Sequence, residues 1–172
     1  MKTCLRFPAV LPVMSCLVLL LLAACTSESP ALLSPEQVTW VPYQSDTMGI
    51  SLNVPKSWTV SEDDQDGVIF RQEGYPVLVI TLLDEERSES RGLWARYKDQ
   101  ATGSDTVSGQ TAHRYAYVHQ DVIFFMPTIS WVIPWRGQFL ELAFRTGNNE
   151  PEPLQRMILD GLLLAVPDSQ SG

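Results

Sequence analysis

From residue 48 onward the chain alternates apolar and polar positions in short runs. Met48, Ile50, Leu52 and Val54 alternate with Gly49, Ser51 and Asn53, which predicts a half-buried strand ended by Pro55. Val68-Ile69-Phe70 predicts a short strand after an acidic turn. Val77 to Leu83 is apolar on both faces, the pattern of a central strand covered on each side. Thr111 to His119 alternates aromatic and small residues, and Ile129, Trp131, Ile133 and Trp135 line one face of the next strand. Arg136-Gly137 marks a turn before Phe139 to Arg145, where Leu140, Leu142 and Phe144 share a face.

Two stretches have helical spacing. Ser88 to Gln100 places Leu93, Trp94 and Tyr97 on one side, and Gly92 weakens it by up to about 1 kcal/mol. The last helix has Pro151 at its start and Glu152 at the positive end of its dipole. Leu154, Met157, Ile158 and Leu162 then form a core-facing stripe. Short loops between successive strands favour antiparallel pairing. The expected fold class is α+β: an antiparallel sheet with helices packed on its faces, an α/β/α sandwich. It occupies one domain, residues 38–166, followed by a flexible tail over 167–172.

The N-terminus is an address of a different composition. Lys2 and Arg6 precede an apolar run from Val13 to Leu22, and the small residues Ala23 and Ala24 follow. A membrane span needs about 20 predominantly apolar residues, and Pro8 and Pro12 interrupt the front of this one. Leu22-Ala23-Ala24-Cys25 resembles the lipobox of bacterial lipoproteins. That resemblance implies removal of a signal peptide, residues 1–24, and lipid attached to Cys25. Residues 25–37 then form the lipidated cysteine and a tether rich in Ser, Pro and Glu. The expected location is the cell envelope, lipid-anchored and facing outside the cytoplasm. In a host with an outer membrane that membrane is expected, since Thr26 is not the Asp that resembles an inner-membrane retention signal.

Charge and cysteine content narrow the partners. The formal net charge is −8, from 12 basic and 20 acidic residues. Removing Lys2 and Arg6 with the signal peptide leaves 10 basic against 20 acidic, or −10. That field repels phosphate backbones and anionic headgroups, so no nucleic-acid partner is expected. Of Cys4, Cys16 and Cys25 only the last stays in the mature chain, which excludes an internal disulfide and thiolate metal sites.

Several local patterns, taken in order, resemble the PsbP-like family. Gly49-Ile50-Ser51-Leu52-Asn53-Val54-Pro55-Lys56-Ser57-Trp58 looks like its opening strand, Gly109-Gln110-Thr111-Ala112 like its glycine turn. Phe139 to Phe144 and the helix carrying Met157, Ile158 and Leu162 look like its closing strand and helix. The likeness spans most of Thr39 to Leu164, with residues 85–108 undiagnostic. It implies an α/β/α sandwich, and a role as a binding or assembly module with no shared active site.

Candidate chemistry is sparse. Glu62, Asp64, Asp66, Gly67 and Glu73 nearly match the spacing of a calcium-binding loop. Glu at the first position, Pro55 before the loop and Gly74 and Pro76 after it argue instead for a solvated acidic turn. His113 and His119 point to one face of a strand but lie roughly 20 Å apart at 3.3 Å per residue. No Ser sits in a nucleophile motif. The expectation is therefore a non-enzymatic binding or assembly module with no cofactor. The alternatives are a hydrolase whose site is assembled from residues distant in sequence, and a calcium-binding lipoprotein. Asp121 to Pro127 is apolar where a loop would be polar. It reads as an added strand or hairpin arm in the core, or as a surface for a protein partner or apolar ligand built from Phe124, Phe125, Met126 and Trp131.

Overall fold

Three tight turns, each closing on a glycine, organise the backbone. Glu73-Gly74, Ser108-Gly109 and Arg136-Gly137 all have positive φ at both residues. That is the signature of the type I′ turn, whose twist matches that of paired strands. The computed structural model describes residues 34–63, 67–83, 100–120, 125–145 and 150–165. A short 3₁₀ turn, Pro35–Gln37, precedes β1 (Trp40–Ser45), β2 (Ile50–Pro55), β3 (Thr59–Asp63), β4 (Gly67–Gln72) and β5 (Tyr75–Leu83). Then follow β6 (Gly103–Val107), β7 (Gln110–Gln120), β8 (Phe125–Trp135) and β9 (Gln138–Arg145). Helix α1 (Pro153–Asp160) and the two-residue β10 (Leu163–Leu164) complete the chain.

The strands form two antiparallel sheets. Seven run in the order β3-β4-β5-β9-β8-β7-β6, and three in the order β1-β2-β10. The tight turns join β4 to β5, β6 to β7 and β8 to β9, as their register shows (Gln72↔Tyr75, Val107↔Gln110, Trp135↔Gln138). Between Phe70 and Arg71 the partner on β5 jumps from Leu78 to Pro76, leaving Val77 as a bulge that enters the core beside Leu78.

The main core lies between one face of the large sheet and a layer made of the small sheet and α1. Ile50, Leu52 and Val54 of β2 meet Phe70, Ile80, Ile129, Trp131, Ile133, Leu140, Leu142 and Phe144 of the large sheet, with Leu154, Ile158 and Leu159 of α1. Tyr43 meets Phe70 edge-on at 5.0 Å, and Trp131 meets Phe144 likewise at 5.7 Å. The helix begins with a capping box, the Glu152 side chain and Gln155 each taking up a free backbone N–H. Met157, expected in its apolar stripe, points outward, and Leu159 is buried instead.

The fold class therefore differs from the expectation. The described residues are mostly antiparallel β-structure with one α-helix, not an α/β/α sandwich with helices on both sheet faces. The apolar run Val77 to Leu83 carries the reason. A strand buried on both sides looks the same in sequence whether helices or another sheet cover it, and here β1, β2 and β10 supply much of the covering layer. The helix expected over 88–100 lies, but for its last residue, outside the described residues.

Candidate binding surfaces

The long hairpin of β7 and β8 outreaches its neighbours. Their pairing runs from His113↔Val132 to Gln120↔Phe125. Among the described residues, β6 pairs only with Gln110 to Arg114 on one side, and β9 only with Thr128 to Trp135 on the other. Val118 to Gln120 and Phe125 to Pro127 thus form a two-stranded arm. Strand periodicity sends Val118, Pro127 and Phe125 to the side that faces the core further along. Beyond the core that side has nothing to pack on among the described residues: Val118 is 52% exposed and Phe125 70%. Met126 faces the other way and is half-buried. Phe124 lies outside the described residues, and Trp131 does not extend the patch. Strand register puts it on the core side, where it is fully buried. Trp135 is also buried, donating its indole N–H to the Met48 carbonyl at 3.0 Å.

Trp131 belongs instead to a charged cluster. Its indole N–H donates to Asp105 Oδ2 at 2.8 Å, Arg156 donates to Asp105 Oδ1 at 2.8 Å, and Arg114 reaches Oδ2 at 3.4 Å. The Arg156 guanidinium lies 5.9 Å from the Trp131 ring centroid. Partial burial works to raise the Asp105 carboxyl. Hydrogen bonds from Arg156 and Trp131, with the charges of Arg156 and Arg114, together outweigh it and hold the group below its usual range. The cluster ties β6, β7, β8 and α1 together. Nothing in the sequence around Asp105 announces this, since the residues come from four separate elements.

On the opposite face of the large sheet, Glu141 is fully buried and accepts a hydrogen bond from the Tyr117 hydroxyl at 3.0 Å. Burial pushes the Glu141 carboxyl up, against the pull of the Ser130 and Tyr117 hydroxyls and the Arg145 charge. Burial and the neighbouring carboxylate likewise raise the Tyr117 phenol. A shifted buried acid has the electrostatics of a general acid, but such a group must come within hydrogen-bond reach of a substrate. Glu141 is 1% exposed and reaches none in this conformation.

Of the four calcium-candidate acids, two lie among the described residues. Glu62 lies exposed on β3 and Glu73 in the turn at the far end of β4, while Asp64 and Asp66 lie outside the described residues. Gly67–Gln72 is extended strand, where a calcium-binding loop would be a compact turn. Among the described residues no three His, Cys, Asp or Glu side chains gather closely enough to hold a metal. His113 is exposed and His119 half-buried on β7. Cys25 and the rest of residues 1–33 lie outside the described residues, and among those described no helix is long and apolar enough to cross a membrane.

A third feature lies at the other end of β8. Arg136, Gly49 and the ends of β1, β2 and β10 enclose a pocket of about 260 Å³, lined also by Ser45, Asp46, Ser51 and Leu163.

No family model and no curated protein matches the chain. Solved structures do. One is a crystal structure of a protein from Bacteroides thetaiotaomicron VPI-5482, with TM-score 0.52 and 12% identity over 72% of this chain and 47% of that one. The chain thus spans about half of that protein's length, and the likeness is one of fold alone. Another is the solution structure of the cyanobacterial PsbP (CyanoP) from Synechocystis sp. PCC 6803, with TM-score 0.49 and 10% identity over 78% of this chain and 97% of that one. The structural neighbours thus include a PsbP protein, at a similarity too low to support an argument by itself.

Proposed function

We propose that the chain is a lipid-anchored envelope protein whose β-domain is a non-catalytic binding or assembly module. Acyl chains on Cys25 hold it to the membrane, each buried CH₂ contributing about 0.8 kcal/mol. The domain docks a protein partner through the Val118–Phe125 side of the β7–β8 arm. The observation that carries this reading is Phe125, an aromatic side chain 70% exposed on an arm that projects past both neighbouring strands. Aromatic side chains are the usual anchors of protein interfaces. The excess of acidic residues makes a protein a better occupant than an anionic bilayer. The sequence resemblance to PsbP-like proteins points the same way. A hydrolase reading has less support, because Glu141, whose carboxyl burial pushes up, is sealed from solvent.

The test uses the full chain in its membrane. Phe125→Ser is expected to change unfolding free energy by under about 1 kcal/mol, as surface substitutions do. A photo-crosslinker at position 125 is expected to give one discrete protein adduct, and Phe125→Ser to abolish the complex on a native gel. A stability loss of about 3–5 kcal/mol, the range for truncating a buried Phe, refutes the surface reading. For the anchor, Cys25→Ala is expected to end radiolabelled palmitate incorporation and leave an uncleaved precursor. Normal maturation of that variant refutes it.

A further inference from the structure

Four of the five arginines among the described residues are engaged. Arg71 donates to the Ser61 hydroxyl and the Gly74 carbonyl. Arg114 and Arg156 grip Asp105, and Arg145 has an interaction of its own. Arg136 is exposed and has no hydrogen bond or ion pair among the described residues, and its guanidinium rests on two groups. Its guanidinium carbon lies 5.1 Å from the Trp135 ring centroid, and Trp135 is itself fixed by its bond to the Met48 carbonyl. The guanidinium also covers the α-carbon of Gly49, where a Cβ would come within 2.3 Å of Nη2 and 2.5 Å of Cζ. Gly49 has φ +66, and Ala165 N–H donates to its carbonyl at 2.8 Å, so the floor beneath Arg136 is braced.

A guanidinium stacked on Trp135, with five N–H donors and no acceptor among the described residues, at the edge of a pocket, is prepared for an anion. We propose that this pocket binds a carboxylate, which Arg136 takes through two parallel hydrogen bonds. The planar fork matches a carboxylate in shape, and stacking on Trp135 lessens the side-chain freedom lost on binding. Charge decides against phosphate. Asp46, braced by the Gln44 amide at 2.6 Å, lines the same pocket without pairing with Arg136. With the net charge of −8, it penalises a dianion more than a monoanion. About 260 Å³ lies below the range of roughly 300–1,000 Å³ usual for drug-sized ligands. The occupant is therefore a small organic acid, or a single acidic side chain or C-terminus of a peptide. The site is independent of the arm, since β8 separates Arg136 from Phe125 by roughly 35 Å at 3.3 Å per residue.

The full-length protein in detergent micelles, with ¹⁵N-labelled arginine and serine, is titrated at constant ionic strength and pH 7 with acetate, a short acidic peptide or inorganic phosphate. The Arg136 Nε–Hε signal is assigned by its absence in Arg136→Gln. Expected are saturable shifts of that signal and of the Ser51 amide with both carboxylates, and a response to phosphate at least tenfold weaker. Arg136→Gln is expected to keep the wild-type melting temperature and lose the Ser51 response. Arg136→Lys, which keeps the charge without the fork, is expected to weaken acetate binding at least tenfold and covers the case in which the Gln variant misfolds. Tenfold tighter binding of the peptide identifies a protein source, and equal binding a free acid. No saturable shift with either carboxylate, phosphate binding as tightly, or an undiminished Ser51 response in folded variants overturns the proposal.

Discussion

Asp105→Ala separates the role of a buried hydrogen bond from that of surface charge. The substitution removes the acceptor of the Trp131 indole N–H, and Trp131 is fully buried, so its donor loses its protein partner. A buried donor left without a partner costs about 1–3 kcal/mol. The two ion pairs add less. The Arg156 side chain is 42% exposed and that of Asp105 21%, so screening holds each pair to about 0.5 kcal/mol. Asp105→Ala is thus expected to cost about 2–3 kcal/mol. Asp105→Asn, which keeps an oxygen facing the indole, should cost about 1 kcal/mol. Urea unfolding followed by tryptophan fluorescence measures both. The pH dependence has a definite sign. The folded carboxyl titrates below its unfolded value near 3.9, so its contribution is present above about pH 4 and lost as pH falls through the folded value. Asp105→Ala should therefore flatten the acid limb of the stability curve. If Asp105→Asn costs as much as Asp105→Ala, charge and not the indole bond holds the cluster, and the reasoning is wrong.

Glu141 has the opposite sign, because its folded carboxyl titrates above the unfolded value near 4.3. Wild-type stability should fall as pH rises from there through the folded value, and Glu141→Gln, which keeps an oxygen for Tyr117, should remove that slope and be no less stable at pH 8. Chemical melts at pH 5 and pH 8 check this, and a Gln variant weaker by more than about 1 kcal/mol at pH 8 refutes it. Glu73 stands at φ +51 in a tight turn, so Glu73→Asn should raise stability by about 0.5–1 kcal/mol in the same assay, and a loss would refute the turn assignment.

Strands that alternate were legible in the sequence, and their hairpins were too. Ile50, Leu52 and Val54 are buried as their spacing predicts, and Arg136-Gly137 turns where it should. The strands that gave no signal explain themselves. Pro42 interrupts β1, β10 has only two residues, and every residue of β3 is exposed, so none presents an apolar period to read. Missing β1 and β10 meant missing the small sheet, and helices were expected in its place. The candidate sites divide in the same way. Phe125 lies within the contiguous apolar run singled out at the start. Asp105 meets Arg156, and Gly49 meets Arg136, across distances in sequence that no local pattern spans.

The outer edge of β3 has one further consequence. It is the last strand of the large sheet on its side, and its unpaired backbone groups are a ready template for a strand from another molecule. Ser61 is an extra residue in its pairing with β4, which bends the edge, and Glu62 and Asp63 stand exposed along it. Two approaching copies would have to bring these carboxylates together, each already on a chain of net charge −8. Glu62, an acid that imitates an ion-binding loop in the sequence, thus joins Asp63 as a barrier to fibril-like growth, one that works by being left in water.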